Sequence, residues 1–281
     1  MYLLFDIGGT KTRFAVSSDG KKLAGVRIFD TPPKFNEGVT LFKKVAGELM
    51  GGRKIRAISG GIGGALYKGR LINSLKPNLR DWNSKPFKEK VEKEFRVPVF
   101  IENDAALGGL GEAIYGAGRG KRIVVYITIG TGVGGVRIVN GRVDENRMGF
   151  EPGHQIIDIG GLNCFSCKGQ GHLESYISGS SLERRLNKKF YEIKDPKVWE
   201  EVARYLAYGL YNTIVFWSPD ILILGGSMVI KVKGIPVERV RFHLKKILTI
   251  FREIPPVEIS ALGDLAGLYG AVVLAKQNLG S

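Results

Sequence analysis

Both cysteines and two of the three histidines of this 281-residue chain fall in one stretch, "GHQIIDIGGLNCFSCKGQGH". His154, Cys164, Cys167 and His172 offer two thiols and two imidazoles, the number and kind of donor that a four-coordinate structural zinc ion takes. Two other readings of the Cys-x-x-Cys turn stay open: a disulfide, which a reducing compartment opposes, and a pair of thiols that merely pack in a core. Glu151 and Glu174 flank the stretch. A metal ion there would fix the ends of a segment that presents both carboxylates, and would support a site without taking part in its chemistry.

A second pattern is "VPVFIENDAALGGLGEAIYG", where a short apolar run ends at Glu102 and helical periodicity begins near Ala105. Asn103 and Asp104 therefore fall at a helix start. They are either ordinary capping residues or a polar pair in which the helix dipole keeps a carboxylate ionised and aimed at a ligand.

Glycine turns supply the third pattern, and they are duplicated. "LLFDIGGTKTRFAV" (residues 3–16) and "VVYITIGTGVGGVRIV" (residues 124–139) each read as an apolar run, a glycine turn and a second alternating run. Both are expected to be β-hairpins. Their tips would turn backbone N–H groups into a concave turn, so two of them can hold a polyphosphate. Gly130, Gly132 and Gly135 formally satisfy a dinucleotide fingerprint, but "GVRIVNGRV" after them alternates and turns at Asn140-Gly141, so the required helix is missing. No glycine turn runs into Gly-Lys-Ser or Gly-Lys-Thr, so a Walker-type loop is absent too. "DILILGG" ends at Gly225 and Gly226, a pair that would let an adenine ring approach the backbone at the end of a strand.

The elements that must position these residues belong to an ordinary globular α/β chain, with 44% apolar residues and no low-complexity segment. The apolar span from Tyr205 to Ile230 is cut by Ser218, Pro219 and Asp220 into a buried helix followed by a strand, too short to cross a bilayer. The amino terminus reads as lacking a secretion leader, which points to the cytoplasm. A net charge of +15 raises nucleic acid, acidic lipid or a polyanionic substrate as partners, yet no basic run is interleaved with aromatics. A lysine-rich solvated surface is the expected reading, with no nucleic acid and no membrane.

Taken in order, these segments resemble the ROK family of sugar kinases and repressors, built on the duplicated actin-like, ribonuclease H-like α/β fold with two domains and an interdomain cleft. "FDIGGTKTRFAV" and "YITIGTGVGGVRIVNGR" resemble its two phosphate loops, "KPNLRDW" its sugar-contact segment and "FIENDAALGGLGEAIYG" its catalytic segment. "GFEPGH" resembles its Glu-x-Gly-His signature, "CFSCKGQGHLESYISG" its cysteine-rich turn and "ALGDLAGLYGAVVLA" its carboxy-terminal segment. The resemblance implies a small domain, residues 1–107, completed by a C-terminal helix at 267–281, and a large domain, residues 108–266. It implies ATP-dependent phosphorylation of a hexose, glucose first, with Mg²⁺ and a structural Zn²⁺, in a homo-oligomer (dimer or tetramer).

Asp104 is then the catalytic base that accepts the proton of the attacking sugar hydroxyl. Free aspartate, with pKa about 3.9, is too weak to deprotonate an alcohol beforehand, so its task is orientation and late proton uptake. The implied sugar contacts are Gly64, Asn78, Asn103, Asp104, Glu151, His154 and Glu174. The implied nucleotide contacts are Asp6, through Mg²⁺ and its water shell, with Gly8, Gly9, Thr10, Lys11, Thr131, Gly132, Gly225 and Gly226. Lys11 is equally readable as a solvated hairpin residue, and Asn78 as a turn residue after Pro77.

The chain departs from the family pattern at three points. The usual proline is missing from the loop "GGIGGALYKG", the cysteine turn carries one extra residue, and His172 stands where a third cysteine is usual. Removing the zinc is expected to weaken sugar binding and leave nucleotide affinity nearly unchanged. Alternative functions are an N-acetylhexosamine kinase, a fructokinase, a polyphosphate-dependent glucokinase and a sugar sensor without catalysis. With its first phosphate hairpin beginning at residue 3, the sequence reads as an enzyme rather than a repressor carrying a DNA-binding domain.

Overall fold

The computed structural model describes residues 1–67, 70–74, 76–230 and 234–280. The chain divides into two compact units, the first made of Met1–Tyr115, Glu145–Gly149 and the segment from Leu265 to the C-terminus, the second of Gly116–Asp144 and Phe150–Asp264.

In the first unit β1 (Tyr2–Ile7), β2 (Lys11–Ser17) and β3 (Ala24–Asp30) form an antiparallel meander, followed by α1 (Phe35–Met50) and β4 (Ala57–Ile62). A small ribbon, β5 (Ala65–Tyr67) and β6 (Arg70–Asn73), precedes α2 (Phe87–Phe95), β7 (Val99–Asn103) and α3 (Asp104–Tyr115). Lys68 and Gly69, the end of the proline-less loop, lie outside the described residues. The sheet order is β3-β2-β1-β4-β7, with β1, β4 and β7 parallel. Their carboxyl ends at Ile7, Ile62 and Asn103 therefore come level, because Ile7 pairs with Ile62 and Ile62 with Asn103. β1 is buried on both faces, and α1 meets it with Phe35, Val39, Phe42, Ala46 and Leu49, apolar residues at helical spacing. Phe42 lies edge-on to Phe5 and to Phe87, with ring centroids 5.4 Å apart in both pairs.

In the second unit β8 (Ile123–Ile129), β9 (Val133–Val139) and β10 (Arg142–Val143) repeat the meander, and Asn140 and Gly141 both take positive φ in the tight turn expected there. Then come α4 (Leu173–Ile177), α5 (Gly179–Leu186), α6 (Pro196–Trp217), β11 (Ile221–Gly225), α7 (Ser227–Ile230), α8 (Val237–Ile247) and β12 (Val257–Ile259). The order β10-β9-β8-β11-β12, with β11 parallel to both neighbours, is that of the first unit with its strands renumbered. Both glycine patterns are hairpins, and the apolar span before Ile230 is α6 followed by β11.

The last helix, α9 (Ala266–Leu279), returns to the first unit and packs along α3. Gly111 and Gly270 allow the crossing, since a Cβ on either would strike the backbone of the other helix. The first unit accordingly keeps the whole of α3 and runs to Tyr115, eight residues past the boundary read from sequence at 107. Ser281, the last residue of the expected C-terminal helix, lies outside the described residues.

Candidate functional site

In the first unit, Asp6 stands at the end of β1, with its Oδ2 3.7 Å from Arg13 Nη1 and its carboxylate against Gly267 in the first turn of α9. That helix end favours an anion. Beyond it the hairpin tip Gly8-Gly9-Thr10 is tied by Gly8 N–H donating to Lys11 O at 3.0 Å and Thr31 Oγ1 donating to Gly8 O at 2.7 Å. Among the described residues the N–H groups of Gly9 and Thr10 carry no hydrogen bond, as an anion receptor requires. Lys11 turns away from the tip and pairs with Asp30 at 2.6 Å on an exposed strand.

Asn103 ends β7 and caps α3: its Oδ1 accepts from Ala105 N–H at 2.9 Å and Ala106 N–H at 3.1 Å. Its Nδ2 donates to Gly64 O at 2.9 Å, which joins the capped helix to the β4–β5 loop. The bland reading of Asn103 therefore holds in full, whatever else the side chain touches. Asp104 accepts from Ala105 N–H with Oδ1 at 3.0 Å and from Lys76 Nζ with Oδ2 at 2.6 Å. Burial pushes the neighbouring Glu102 carboxyl above the usual range, although the Asn103 N–H it accepts pulls the other way. Asn78 sits half-buried in the first turn of the 3₁₀ helix Pro77–Trp82, directly after Lys76.

In the second unit the tip Gly130-Thr131-Gly132 is held by the start of α5, where Gly179 N–H donates to Gly130 O at 2.8 Å and Ser180 Oγ to Thr131 O at 2.6 Å. Among the described residues, the N–H groups of Thr131 and Gly132 are unbonded, like those of the first tip. Glu174, in α4, accepts from Val133 N–H with Oε2 at 2.8 Å and from Ser166 Oγ with Oε1 at 2.8 Å. It thus bridges the second hairpin and the cysteine turn. Glu151 is exposed just before the 3₁₀ turn Pro152–His154. Gly225 and Gly226 answer to packing within the unit: a Cβ on Gly225 would strike the Tyr126 hydroxyl, and Gly226 has φ +84° beside Ile129.

His154, Cys164, Cys167 and His172 converge, their ligand atoms all lying within 4.8 Å of one another. His154 ends the 3₁₀ turn, His172 precedes α4, and the cysteines occupy a tight loop closed by Lys168 N–H donating to Cys164 O at 2.8 Å. Bridges Ile156↔His172 and Asn163↔Gln170 make the segment a small hairpin, so residues far apart along it face each other.

The donor set can be tested against a tetrahedron with metal–nitrogen bonds of about 2.0 Å and metal–sulfur bonds of about 2.3 Å, whose edges are roughly 3.3 to 3.8 Å. The two Nδ1 atoms are 3.3 Å apart, and nitrogen–sulfur separations are 3.3, 3.6 and 3.9 Å. The residues fit a zinc ion. Burial pushes the Cys164 thiol up, but the Ser166 hydroxyl and the backbone N–H groups of Cys167 and Ser166 outweigh it and bring it down to about 7. Burial and the adjacent Cys164 push Cys167 up.

With this geometry in view, the ROK family model matches residues 2–278. The chain belongs to the ROK family. Its curated relatives include the glucokinase of Streptomyces coelicolor, 29% identical over 97% of this chain and 96% of that one. Among solved structures, the ROK glucokinase from Streptomyces griseus in complex with glucose and AMPPNP has TM-score 0.84 at 27% identity, covering 98% of this chain and 99% of that one. The ROK hexokinase from Thermus thermophilus has TM-score 0.86 at 28% identity, covering 99% of both chains. The duplicated sheets of this ROK chain are thus those of the actin-like fold. Lys76, Ser166 and Val133 were not singled out by sequence: a lysine before a proline reads as a solvated turn residue, and a serine between cysteines as a spacer.

Proposed function

We propose that this ROK chain transfers the γ-phosphoryl group of ATP to the primary hydroxyl of a hexose, with glucose as the foremost acceptor. The observation that carries this reading is Asp104, fixed at the start of α3 beside Gly63 and linked through Asn103 to Gly64. Each unit also carries one hairpin tip whose N–H groups suit phosphate oxygens. The sugar oxygen forms a bond to the γ-phosphorus while the bond to the β,γ-bridging oxygen breaks, and the hydroxyl proton passes to Asp104. Gly64, Asn78, Asn103, Glu151, His154 and Glu174 are the expected sugar contacts. Gly8, Gly9, Thr10, Lys11, Thr131, Gly132, Gly225 and Gly226 are the expected nucleotide contacts.

Asp6 would hold Mg²⁺ through bound water, a single hard carboxylate being enough for an ion that keeps most of its hydration. When bound, Mg²⁺ supplies neutralising charge on the phosphates. His154, Cys164, Cys167 and His172 would hold zinc as a structural brace, with both thiols as thiolates. A reducing compartment such as the cytoplasm suits such ligands. Among the described residues no helix is long and apolar enough to cross a membrane. Ile156, Ile159 and Phe216 are 61%, 96% and 79% exposed in the second unit, which supports assembly into a homo-oligomer.

The test is a coupled assay over glucose, mannose, fructose and N-acetylhexosamines, with ATP and with inorganic polyphosphate, a donor that the +15 charge would attract. Asp104→Asn should cut turnover by at least roughly 10²-fold with sugar affinity retained. Turnover within a few-fold of the parent removes Asp104 from the mechanism.

A further inference from the structure

Lys76 is the cation at Asp104. Its side chain is 32% exposed, and its ammonium lies 2.6 Å from Oδ2 of a carboxylate that is 25% exposed. A partly exposed ion pair stabilises a fold only slightly. Its path is also cleared on two sides. A Cβ on Gly9, in the first hairpin tip, would lie 2.9 Å from Lys76 Cδ, 3.1 Å from its Cβ and 3.2 Å from its Cγ. A Cβ on Gly63 would strike Nζ itself and stand 2.8 Å from Asp104 Oδ2. The side chain therefore runs across the tip that is expected to hold phosphate and ends on the expected base. Lys11, the lysine of that hairpin, has its charge committed to Asp30 on the exposed strand surface.

We propose that Lys76 is a catalytic residue of phosphoryl transfer. This rests on the hexose-kinase reading. Its ammonium rests on Asp104 while the acceptor place is empty. The incoming sugar hydroxyl takes over Oδ2, and the ammonium, on its flexible four-carbon stem, moves to a non-bridging oxygen of the transferring phosphoryl group. A lysine is suited to that exchange because it is a compact charge with three rotatable donors and no fixed fork. In the transfer the new bond joins the sugar oxygen to phosphorus, the bond to the bridging oxygen of the leaving nucleoside diphosphate breaks, and the hydroxyl proton goes to Asp104. Lys76 keeps all three of its protons throughout.

The experiment uses the full chain with glucose and MgATP, comparing the parent with Lys76→Met, Lys76→Arg, Lys76→Ala and Asp104→Asn. Lys76→Met should lower kcat by roughly 10- to 10²-fold, the scale of losing one charged donor to a transition state, while the calorimetric Kd for glucose stays within about threefold. Added methylamine should raise the kcat of Lys76→Ala in proportion to its concentration, an effect that a structural brace would not show. Lys76→Arg keeps a cation on Asp104, and should exceed Lys76→Met in kcat. This pair of ion-retaining and amine-rescued variants keeps the test open if Lys76→Met fails to fold. If Lys76→Met retains kcat within threefold of the parent while Asp104→Asn is inactive, or if only glucose affinity falls, the inference is overturned and the kinase reading survives. A parent chain that phosphorylates no sugar defeats both.

Discussion

Replacing Cys167 by serine should weaken both substrates, and the connections around Glu174 indicate by how much. The carboxylate holds two hydrogen bonds at 2.8 Å, one from Ser166 in the cysteine turn and one from Val133 N–H at the second hairpin. Ser166 in turn lies 3.0 Å from Cys164 Sγ. Gly132 is pressed against the same carboxylate, since a Cβ there would be 2.6 Å from Oε2. Loss of the metal would release the turn and with it the Ser166 bond, leaving Glu174 less well anchored against Val133. A hydrogen bond to a charged group is worth about 1.5 to 3 kcal/mol. At about 1.4 kcal/mol per tenfold, one such bond corresponds to a loss of roughly 10- to 150-fold in the ordered state of whatever it holds. Because Glu174 also holds Val133, the residue that follows the second tip, nucleotide binding is expected to feel the metal as well as sugar binding.

The measurements are zinc content by elemental analysis, and titration calorimetry with glucose and with MgAMPPNP, on the parent, chelator-treated protein and Cys167→Ser. Glucose and nucleotide affinities should both fall by about tenfold or more. Ser166→Ala supplies the control, because it keeps all four ligands: it should retain zinc yet weaken nucleotide binding by several-fold. A parent made with zinc available that contains none, or a zinc-free Cys167→Ser protein with both affinities within twofold of the parent, would refute the reasoning.

Asp6→Ala should abolish turnover or raise the Mg²⁺ concentration for half-maximal activity by at least roughly tenfold, and metal-independent transfer would contradict its role. Glu102→Gln should raise Tm at pH 7 to 8. Burial lifts the folded-state pKa of Glu102 above its unfolded value, so ionisation costs stability; the gain should vanish as pH falls below about 4.5, and a gain that persists there would refute the cause. Glu200→Gln should lower Tm near neutral pH, because Arg239, bound through two nitrogens at 2.8 and 2.6 Å, and His243 at 2.8 Å hold the Glu200 carboxyl at about 2. That contribution is present above the ordinary glutamate pKa and lost as pH falls from about 4.5 toward 2, so parent and variant melting curves should converge in that window.

The features legible in the sequence are those written in neighbouring residues. A two-residue alternation around a glycine turn specifies a hairpin locally, so both glycine hairpins are legible from the sequence. The candidate metal ligands were legible for a chemical reason: thiols and imidazoles are rare, and four of them crowd one small hairpin. Asn103 was legible as a cap for the same local reason. The boundary at Tyr115 was not, because α3 is held in the first unit chiefly by α9, which lies at the far end of the chain.

Long-range contacts were illegible in proportion to how ordinary their residues look. Glu174 and Val133 are 41 positions apart, and nothing in either neighbourhood distinguishes the N–H of Val133 from that of any strand residue. Lys11 and Lys76 present the same difficulty more sharply. Composition counts them alike among the 42 basic residues, and the glycine hairpin marks Lys11 as the phosphate ligand. What separates them is place: the parallel pairing of β1, β4 and β7 brings the ends of three strands level, and Lys76 lies against the loops that follow two of them. There the side chain of Lys76 passes where Gly9 and Gly63 have none. From sequence Gly9 reads as part of a phosphate receptor, a local role, and Gly63 only as part of a loop without the usual proline; their further role, leaving room for a lysine from elsewhere in the chain, is a property of the space between segments. A glycine whose turn geometry does not require it is therefore a place to ask which distant side chain fills the gap. At Gly63, whose φ lies outside the left-handed range, the occupant is the cation on Asp104.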